Sequence, residues 1–397
     1  MTRAPLQIVV LGGGYAGVLA ARRLARGAGP TARVTLVDAS DTFVERIRLH
    51  QVAAGATLRV RPIASLIGRA IFRRGRVRAL DLVRKQVVLD DGVLDVDYLV
   101  NALGSAVQTT AVAGVAEHAL RLDDPASAGA VGAAARRALE QGATLAVVGG
   151  GLTGIELATE LAEAHPRLSL ALYCRGHLGA GALGPAAVAH VRAALAGVAV
   201  HEQVRIERVE ADALIVDGAR VAVAAVVWCA GFVASPLAAA AGLAVDAQGR
   251  MLVDDTLAVP GLPWLFGAGD AAAPLGPVGA PLPMACKTAM PMAATAADNL
   301  LAALHGAAPH RFRFGDTGVC VSLGRRDGVI QHRGAQGDSR GVTRGRVGAW
   351  VKESVCRFTL RALRFPVLTR ALRLYDRRGA RALAAAPAPH QLPSATP

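Results

Sequence analysis

Paired cysteines are missing from this chain. Its five, Cys174, Cys229, Cys286, Cys320 and Cys356, stand far apart with no C-x-x-C spacing. A disulfide framework is therefore not expected, and the usage fits a reducing cytoplasm. Aromatic residues make up only 4% of the sequence and no basic stretch interleaves with them, so a base-stacking platform for nucleic acid is lacking too. The ten histidines are dispersed, with neither metal-ligand spacing nor a Ser/His/Asp constellation. Long apolar runs are scarce. Val221 to Val245 carries no charge over 25 residues, but Gly231, Ser235, Pro236 and Gly242 interrupt it. A strand, a loop and a short helix explain it better than a membrane span. Arg3 ahead of an apolar run superficially suggests export, yet the first strand and turn claim those residues, so no export signal is expected.

What is present points to sheets and helices. The 397 residues are 53% hydrophobic, mostly Ala, Val and Leu, which suits two or three domains with real cores. Leu6 to Leu24 reads as a buried strand, then Gly12, Gly14 and Gly17, then a helix with Val18, Ala21 and Leu24 on one face. This is the G-x-G-x-x-G turn of a dinucleotide-binding βαβ unit, with the pyrophosphate at the helix N-terminus. The next apolar strand ends in Asp38, placed to bind an adenosine ribose. Thr144 to Glu163 repeats the pattern with Gly149, Gly151 and Gly154, and Ile155, Ala158 and Leu161 share a helix face. Two such units imply two dinucleotides on one chain.

The second unit departs from the first where the acid should stand. Its following strand ends in Cys174 and Arg175, so this site is expected to accept a 2′-phosphate, unless Arg175 is simply an exposed residue. Glu156 lies two residues past Gly154. It is either a first-turn acid favoured by the helix dipole or a group beside the nicotinamide or its proton path. Trp264 to Phe266 delivers Asp270 to a second glycine turn, Gly267 and Gly269, where a carboxylate can bind a polyol. Arg46 and Arg48 are surface arginines or face the first site's phosphates. Val77 to Leu82 and Gln86 to Leu89, followed by Asp90, Asp91 and Gly92, form a hairpin pattern. After a Pro-rich loop to Pro283, a helical run interrupted near Pro291 reaches Leu304. Arg311 to Gln331 returns to strands, and the rest reads as a distinct tail.

The glycine turn with Asp38, DYLVNALGS, VVGGGLTGIE, VVWCAGFVASPL and LFGAGDAA resemble, in that order, the pyridine nucleotide–disulphide oxidoreductase superfamily over about residues 6 to 304. Within it, IRLHQVAAG, VVWCAGFVASPL and YDRRGARAL are most similar to type II NADH:quinone oxidoreductases. The resemblance implies FAD in the first site and NADPH or NADH in the second. It implies an α/β fold of two Rossmann-like domains plus a C-terminal α+β extension: FAD domain 1–112 and 236–308, split by the NAD(P)H domain 113–235, then 309–397. Nucleotide contacts are expected from Gly12, Gly14, Tyr15, Ala16, Gly17, Asp38, Arg46, Val77, Ala102, Leu103, Gly104, Gly149, Gly151, Leu152, Thr153, Gly154, Arg175, Ala230, Gly231, Gly269, Asp270, Met284 and Ala285. Glu156 and Lys287 are the expected catalytic residues, and no metal is expected. The segment from Asp38 to Gly55 lacks the cysteines of disulphide reductases, which argues against disulphide reduction. Where the quinone enzymes carry two glutamines beside the flavin, counting places Lys287 and Pro291 here. Lys287 is then a fixed charge for reduced flavin, or a lysine pointing to solvent.

The formal charge of +14 is concentrated late in the chain. Arg340 to Arg381 holds eleven arginines and Lys352 against Glu353 and Asp376. Val347, Trp350, Val351, Val355, Phe358 and Ala362 recur at helical spacing beside these charges. Residues 346–381 therefore suit an anionic membrane surface, with packing on the body or on a second subunit of a homodimer as the alternative. The expected activity is NAD(P)H oxidation through FAD to an acceptor, a quinone at the inner face of the cell membrane. The alternatives are a cytoplasmic reductase or oxidase for a small molecule or redox protein, and a redox-sensing module of the apoptosis-inducing-factor kind.

Overall fold

Each glycine turn sits at the end of the central strand of a parallel sheet, as the strand–turn–helix pattern requires. The computed structural model describes residues 4–274, 282–334 and 337–384. The first sheet runs Ala258–Val259, Leu262–Gly267, Tyr98–Asn101, Leu6–Leu11, Ala32–Asp38, Ile71–Arg74. Every neighbouring pair is parallel except the first. The second sheet, all parallel, runs Val198–His201, Ser169–Tyr173, Thr144–Val148, Ala225–Trp228, Ala119–Leu120. The first is built from chain on both sides of the second. The fold is α/β with two Rossmann-like halves, as the sequence indicated.

The helix Tyr15–Gly27 buries Val18, Ala21 and Leu24 completely and packs along the helix Cys286–Leu304. Burying a side chain such as Leu24 contributes about 1.5–3 kcal/mol. The second glycine-turn helix, Leu152–Ala164, likewise buries Ile155, Ala158 and Leu161. The hairpin expectation holds, with Val77–Asp81, Gln86–Leu89 and Gly92–Asp95 forming an antiparallel sheet. The uncharged run around residue 230 becomes the strands Ala225–Trp228 and Phe232–Ala234 and the short helix Leu237–Ala240. Among the described residues no helix is long and apolar enough to cross a membrane. Within the Pro-rich loop, residues 275–281 lie outside the described residues.

Two expectations need correction. Pro291 does not interrupt its helix, which runs unbroken from Cys286 to Leu304. A proline in its second turn forfeits one backbone bond, and packing along the helix Tyr15–Gly27 holds the helix together regardless. Nor is the region after Gln331 a distinct tail. The strands Gly318–Ser322, Gly328–Arg333 and Ser339–Arg344 form one antiparallel sheet, and the helix Gly345–Arg364 lies on it. Its inward face is Gly348, Lys352, Cys356, Thr359 and Leu363, not the apolar stripe of Val347 and Trp350. A side chain at Gly348 would overlap the Gly328 carbonyl, so the missing Cβ lets the helix settle there. Ala362 and Leu363 are buried in the same core as Ile8 and Val18. A turn, Pro366–Leu372, and the helix Arg373–Ala384 follow, with Tyr375 stacked on Phe314 at 5.0 Å between ring centroids. Residues 385–397 of the expected extension lie outside the described ones.

Candidate functional site

The first groove starts at Gly12, whose φ of 98° only glycine holds readily. A Cβ there would overlap the Ala102 carbonyl, and one at Gly17 would overlap the Gly12 carbonyl. The turn is thereby pressed against the strand end that carries Ala102, Leu103 and Gly104. Gly14 caps the helix Tyr15–Gly27 with no side-chain bond, and nothing would lie within 4 Å of its Cβ. The first N–H groups of that helix thus open onto space that a pyrophosphate can fill. Asp38 Oδ2 accepts from the Gly13 amide at 2.6 Å, and Oδ1 from the Ser40 amide at 2.8 Å.

The other end of the groove is set by Asp270. Gly269 has φ of 69°, and its Cβ would lie 3.0 Å from that of Ala16, so the two glycine turns meet. Burial pushes the Asp270 carboxyl up, against the Ser105 hydroxyl that donates to Oδ2 at 2.7 Å and the charges of Arg46 and Arg250. Arg46 donates to the Ser105 carbonyl at 2.6 Å and so stands beside Asp270. It is not at the phosphate end. Arg48 is taken up elsewhere, in a bidentate pair with Glu353 at 2.9 Å for both bonds. Met284 and Ala285 lead into the helix Cys286–Leu304, which Ala285 caps without a side-chain bond. Val77 is half-buried in the apolar cluster behind the first sheet. Tyr15 is buried with its hydroxyl unpartnered among the described residues. An extended cofactor with a phosphate bridge and a polyol fits this groove, and FAD has both.

The second groove encloses about 1,090 Å³ and is lined by Gly149, Gly151, Leu152, Thr153, Arg175, Ala230 and Gly231, among others. Gly154 lies beneath, where a Cβ would overlap the Gly149 carbonyl. Cys174 stands against Gly150 as Asp38 stands against Gly13, so the thiol occupies the acid's place. Burial pushes that thiol up to about 11, so it is neutral. Arg175, His177 and Arg205 line the rim, where Glu207 is the one carboxylate among the described residues. Arg175 has no acidic partner among them. Sequence reading singled out this arginine because it stands at the strand end where the first unit carries its acid.

Glu156 does not line the second groove. It is only 8% exposed and faces the seam between the helix Leu49–Ala53, the strand Gly318–Ser322 and the helix Gly345–Arg364. There Lys352 Nζ lies 2.8 Å from its Oε1, and the Ser322 amide donates to the same oxygen at 3.0 Å. His50 Nδ1 is 3.7 Å from its Oε2. Burial works against both charges of the pair. Lys352 and the Ser322 amide nonetheless hold the Glu156 carboxyl below its usual range, and Glu156 holds the Lys352 ammonium above its own. Sequence reading missed Lys352 because it sits amid arginines. Its one signal is that it is the only lysine in the basic stretch.

Around Lys352 three of the five scattered cysteines gather. Lys352 Nζ donates to the Cys320 carbonyl at 3.3 Å, and Cys356 lies one turn further along the helix. Burial raises Cys356 to about 11 and Cys286 to about 12, with Lys352 opposing in both cases. These thiols stay protonated at neutral pH and are poor nucleophiles. The Cys286 thiol feels both Lys352 and Asp270, so the cluster adjoins the far end of the first groove. Lys287 is engaged nearby, donating to Asp316 at 2.7 Å and to the Gly318 carbonyl at 3.0 Å. Its charge is answered by a carboxylate that Arg333 also shares. Among the described residues no His/Cys/Asp/Glu group could hold a metal.

Two Rossmann grooves on one chain, the first ending at Asp270 with its Ser105 hydrogen bond, define a flavoprotein that meets a nicotinamide nucleotide. The chain belongs to the pyridine nucleotide-disulphide oxidoreductase family, whose sequence profile matches residues 6–297. It is 33% identical over 296 residues to an NADH dehydrogenase-like protein of Mycobacterium tuberculosis, covering 67% of this chain and 73% of that one. To the type II NADH:quinone oxidoreductase of Staphylococcus aureus it is 26% identical over 359 residues, 81% and 89% of the two chains. Among solved structures, the sulfide:quinone oxidoreductase of Aquifex aeolicus superposes with a TM-score of 0.77 at 19% identity, over 90% and 91% of the chains. NDH2 of Plasmodium falciparum gives 0.72 at 14% identity, over 96% and 97%. The protein is an oxidoreductase of the NADH dehydrogenase type that uses FAD and NAD(P)H.

Proposed function

We propose that the chain passes reducing equivalents from NAD(P)H through FAD to a quinone at an anionic membrane surface. The observation that carries this is the buried Glu156–Lys352 pair beside the Asp270 end of the first groove, roofed by the helix Gly345–Arg364. When bound, FAD supplies the two-electron carrier between nicotinamide and acceptor. Asp38 and the uncapped helix N-terminus hold its adenosine and phosphate end, and Ser105 and Asp270 hold its polyol. Lys352 presents a fixed positive charge in a dry site, where a developing quinone oxyanion is stabilised most strongly. Lys287 and Pro291 replace the expected glutamines, so acceptor contacts come from the Lys352 seam instead.

The outward face of that helix supports the membrane surface. Val347 is 60% and Trp350 70% exposed, and Phe365 and Val367 are exposed as well. Arg346, Arg361 and Arg364 are exposed on the same stretch. Each basic residue near an anionic surface contributes about 1 kcal/mol, and the apolar side chains add burial. Because Lys352 lies in the core, truncation would unfold the chain, and a surface variant is the sound test. The double variant Val347→Glu, Trp350→Glu is expected to lose NAD(P)H oxidation by quinone embedded in anionic vesicles and to keep ferricyanide reduction. Equal quinone rates for variant and parent would remove the membrane reading. No reduction of any quinone by the parent would remove the acceptor.

We further propose that the second groove prefers NADPH, since a neutral thiol replaces the ribose-binding acid and Arg175 has no acidic partner among the described residues. A charge-assisted bond is worth about 1.5–3 kcal/mol. Arg175→Ala should therefore lower kcat/KM for NADPH tenfold to a hundredfold and leave NADH nearly unchanged. A parent enzyme that already favours NADH strongly would count against it.

A further inference from the structure

Behind the Glu156–Lys352 pair lies a second pair of buried groups that the roles above leave unused. His50, on the helix Leu49–Ala53, and Glu160, one turn beyond Glu156, are each 3% exposed. His50 Nε2 and Glu160 Oε2 both lack a hydrogen-bond partner among the described residues, and they face one another at 3.9 Å. Two orphaned polar atoms in a packed interior are costly, and their opposition calls for a reason. Burial lowers His50 to about 4, Glu156 opposing and Lys352, Arg325 and Arg48 adding to it, so the ring is neutral. With its Nδ1 toward the carboxylate of Glu156 at 3.7 Å, the neutral ring carries its proton there and leaves Nε2 a bare acceptor. Glu160 Oε2 is the group facing that acceptor.

Glu160 also has a way out. Arg325 Nε lies 3.7 Å from its Oε1, and the Arg325 side chain is about half exposed. At the same edge the exposed Glu163 accepts from the Arg325 amide at 2.7 Å. Burial raises the Glu160 carboxyl to about 7, with Arg325 opposing and Glu163 and Glu156 reinforcing. The groups around it are thus Glu156 and Glu163 on its own helix, His50 on the facing one and Arg325 on the turn after Ser322. Lys352, Arg48 and Glu353 surround the cluster beyond His50.

We propose that Glu160 and His50 form a proton relay from solvent at Arg325 to the Glu156–Lys352 pair, supplying the proton that the acceptor takes up. The proposal rests on the quinone reading above. Reduction of a quinone to hydroquinone needs two electrons and two protons. NAD(P)H delivers both electrons and one proton as hydride, and one proton comes from water. Along the relay, the Glu160 O–H transfers its proton to His50 Nε2 while Nδ1–H passes its own to Glu156 Oε2, and Glu156 releases a proton to the reduced quinone oxygen, returning to its carboxylate beside Lys352. The tautomer then resets, and Glu160 is reprotonated at the solvent edge. Closing each gap needs a shift of about 1 Å or one intervening water.

The test separates electrons from protons, because ferricyanide accepts electrons without protons. Glu160→Gln is expected to lower kcat with a water-soluble quinone about tenfold near neutral pH, with KM unchanged. The parent's fall in quinone kcat above about pH 7, where Glu160 loses its proton, should vanish in the variant. Its solvent isotope effect on kcat should rise above twofold. Anaerobic flavin reduction by NAD(P)H and ferricyanide turnover should stay at parent rates, which also shows that the variant folds. His50→Gln should behave alike, and Glu160→Asp should recover part of the rate. Parent-like quinone kcat and pH profile in Glu160→Gln would overturn the relay while leaving the quinone reading intact. A parent that reduces ferricyanide but no quinone would overturn both.

Discussion

Replacing Lys352 with methionine is expected to remove the proposed quinone turnover and a large share of stability, because it leaves Glu156 as an uncompensated buried charge. Breaking a buried pair by deleting one partner costs about 3–5 kcal/mol, far more than the pair itself contributes. The urea midpoint should drop accordingly. Removing both charges in Glu156→Gln, Lys352→Met should recover most of that loss, since neither partner is then left charged in the interior. Quinone turnover should recover in neither variant, falling about a hundredfold or more, the usual effect of losing a preorganised donor to a developing oxyanion. Flavin reduction by NAD(P)H should survive wherever the fold does, because hydride transfer needs no protein acid. A double variant as unstable as the single one would show that packing at Lys352, not charge, holds the seam. The pair is also a pH device. Glu156 is held below the ordinary 4.5, so its contribution is present above that value and is lost as pH falls through its folded pKa. Lys352 is held above the ordinary 10.5, so its contribution is full below that value and is lost as pH rises through its folded pKa. The seam is therefore fully stabilised across the neutral range.

Gly17→Val and Gly154→Val should separate the two grooves. In each, the new Cβ overlaps a backbone carbonyl, Gly12 or Gly149, which cannot swing aside as a flexible side chain could. Overpacking costs about 1–3 kcal/mol where neighbours yield, and more where backbone must move. Gly17→Val should purify colourless or not fold at all, since the displaced turn carries the helix start proposed to hold the FAD phosphates. Gly154→Val should remain yellow, yet NAD(P)H should no longer bleach it at comparable concentrations, while dithionite still does. Retention of FAD by Gly17→Val at parent occupancy would place the cofactor somewhere other than the first groove.

Much of this was legible in order along the chain. Both glycine turns, Asp38, Asp270 and the absent second acid belong to strand ends and helix starts, where neighbours in sequence are neighbours in space. Spacing alone brings Gly12, Gly14 and Gly17 into one turn, and Arg175 follows its strand as Asp38 follows its own. The buried faces of both turn helices follow from the same short-range periodicity, which is why Val18, Ala21 and Leu24 point inward as expected.

Tertiary structure decided what distant segments share. Glu156 and Lys352 are nearly two hundred residues apart, and beyond being the only lysine among arginines nothing local distinguishes Lys352 from a solvated tail charge. The close approach of Gly348 to Gly328 seats the face that carries that lysine inward and leaves Val347 and Trp350 outward, shifting the face that hydrophobic periodicity had selected while Ala362 stays buried. Cys286, Cys320 and Cys356 carry no spacing signal, and they converge because a helix start, a strand and a helix meet around one ammonium. The unpaired faces of His50 and Glu160 are likewise invisible in sequence, since a missing partner is a property of packing and not of residue type.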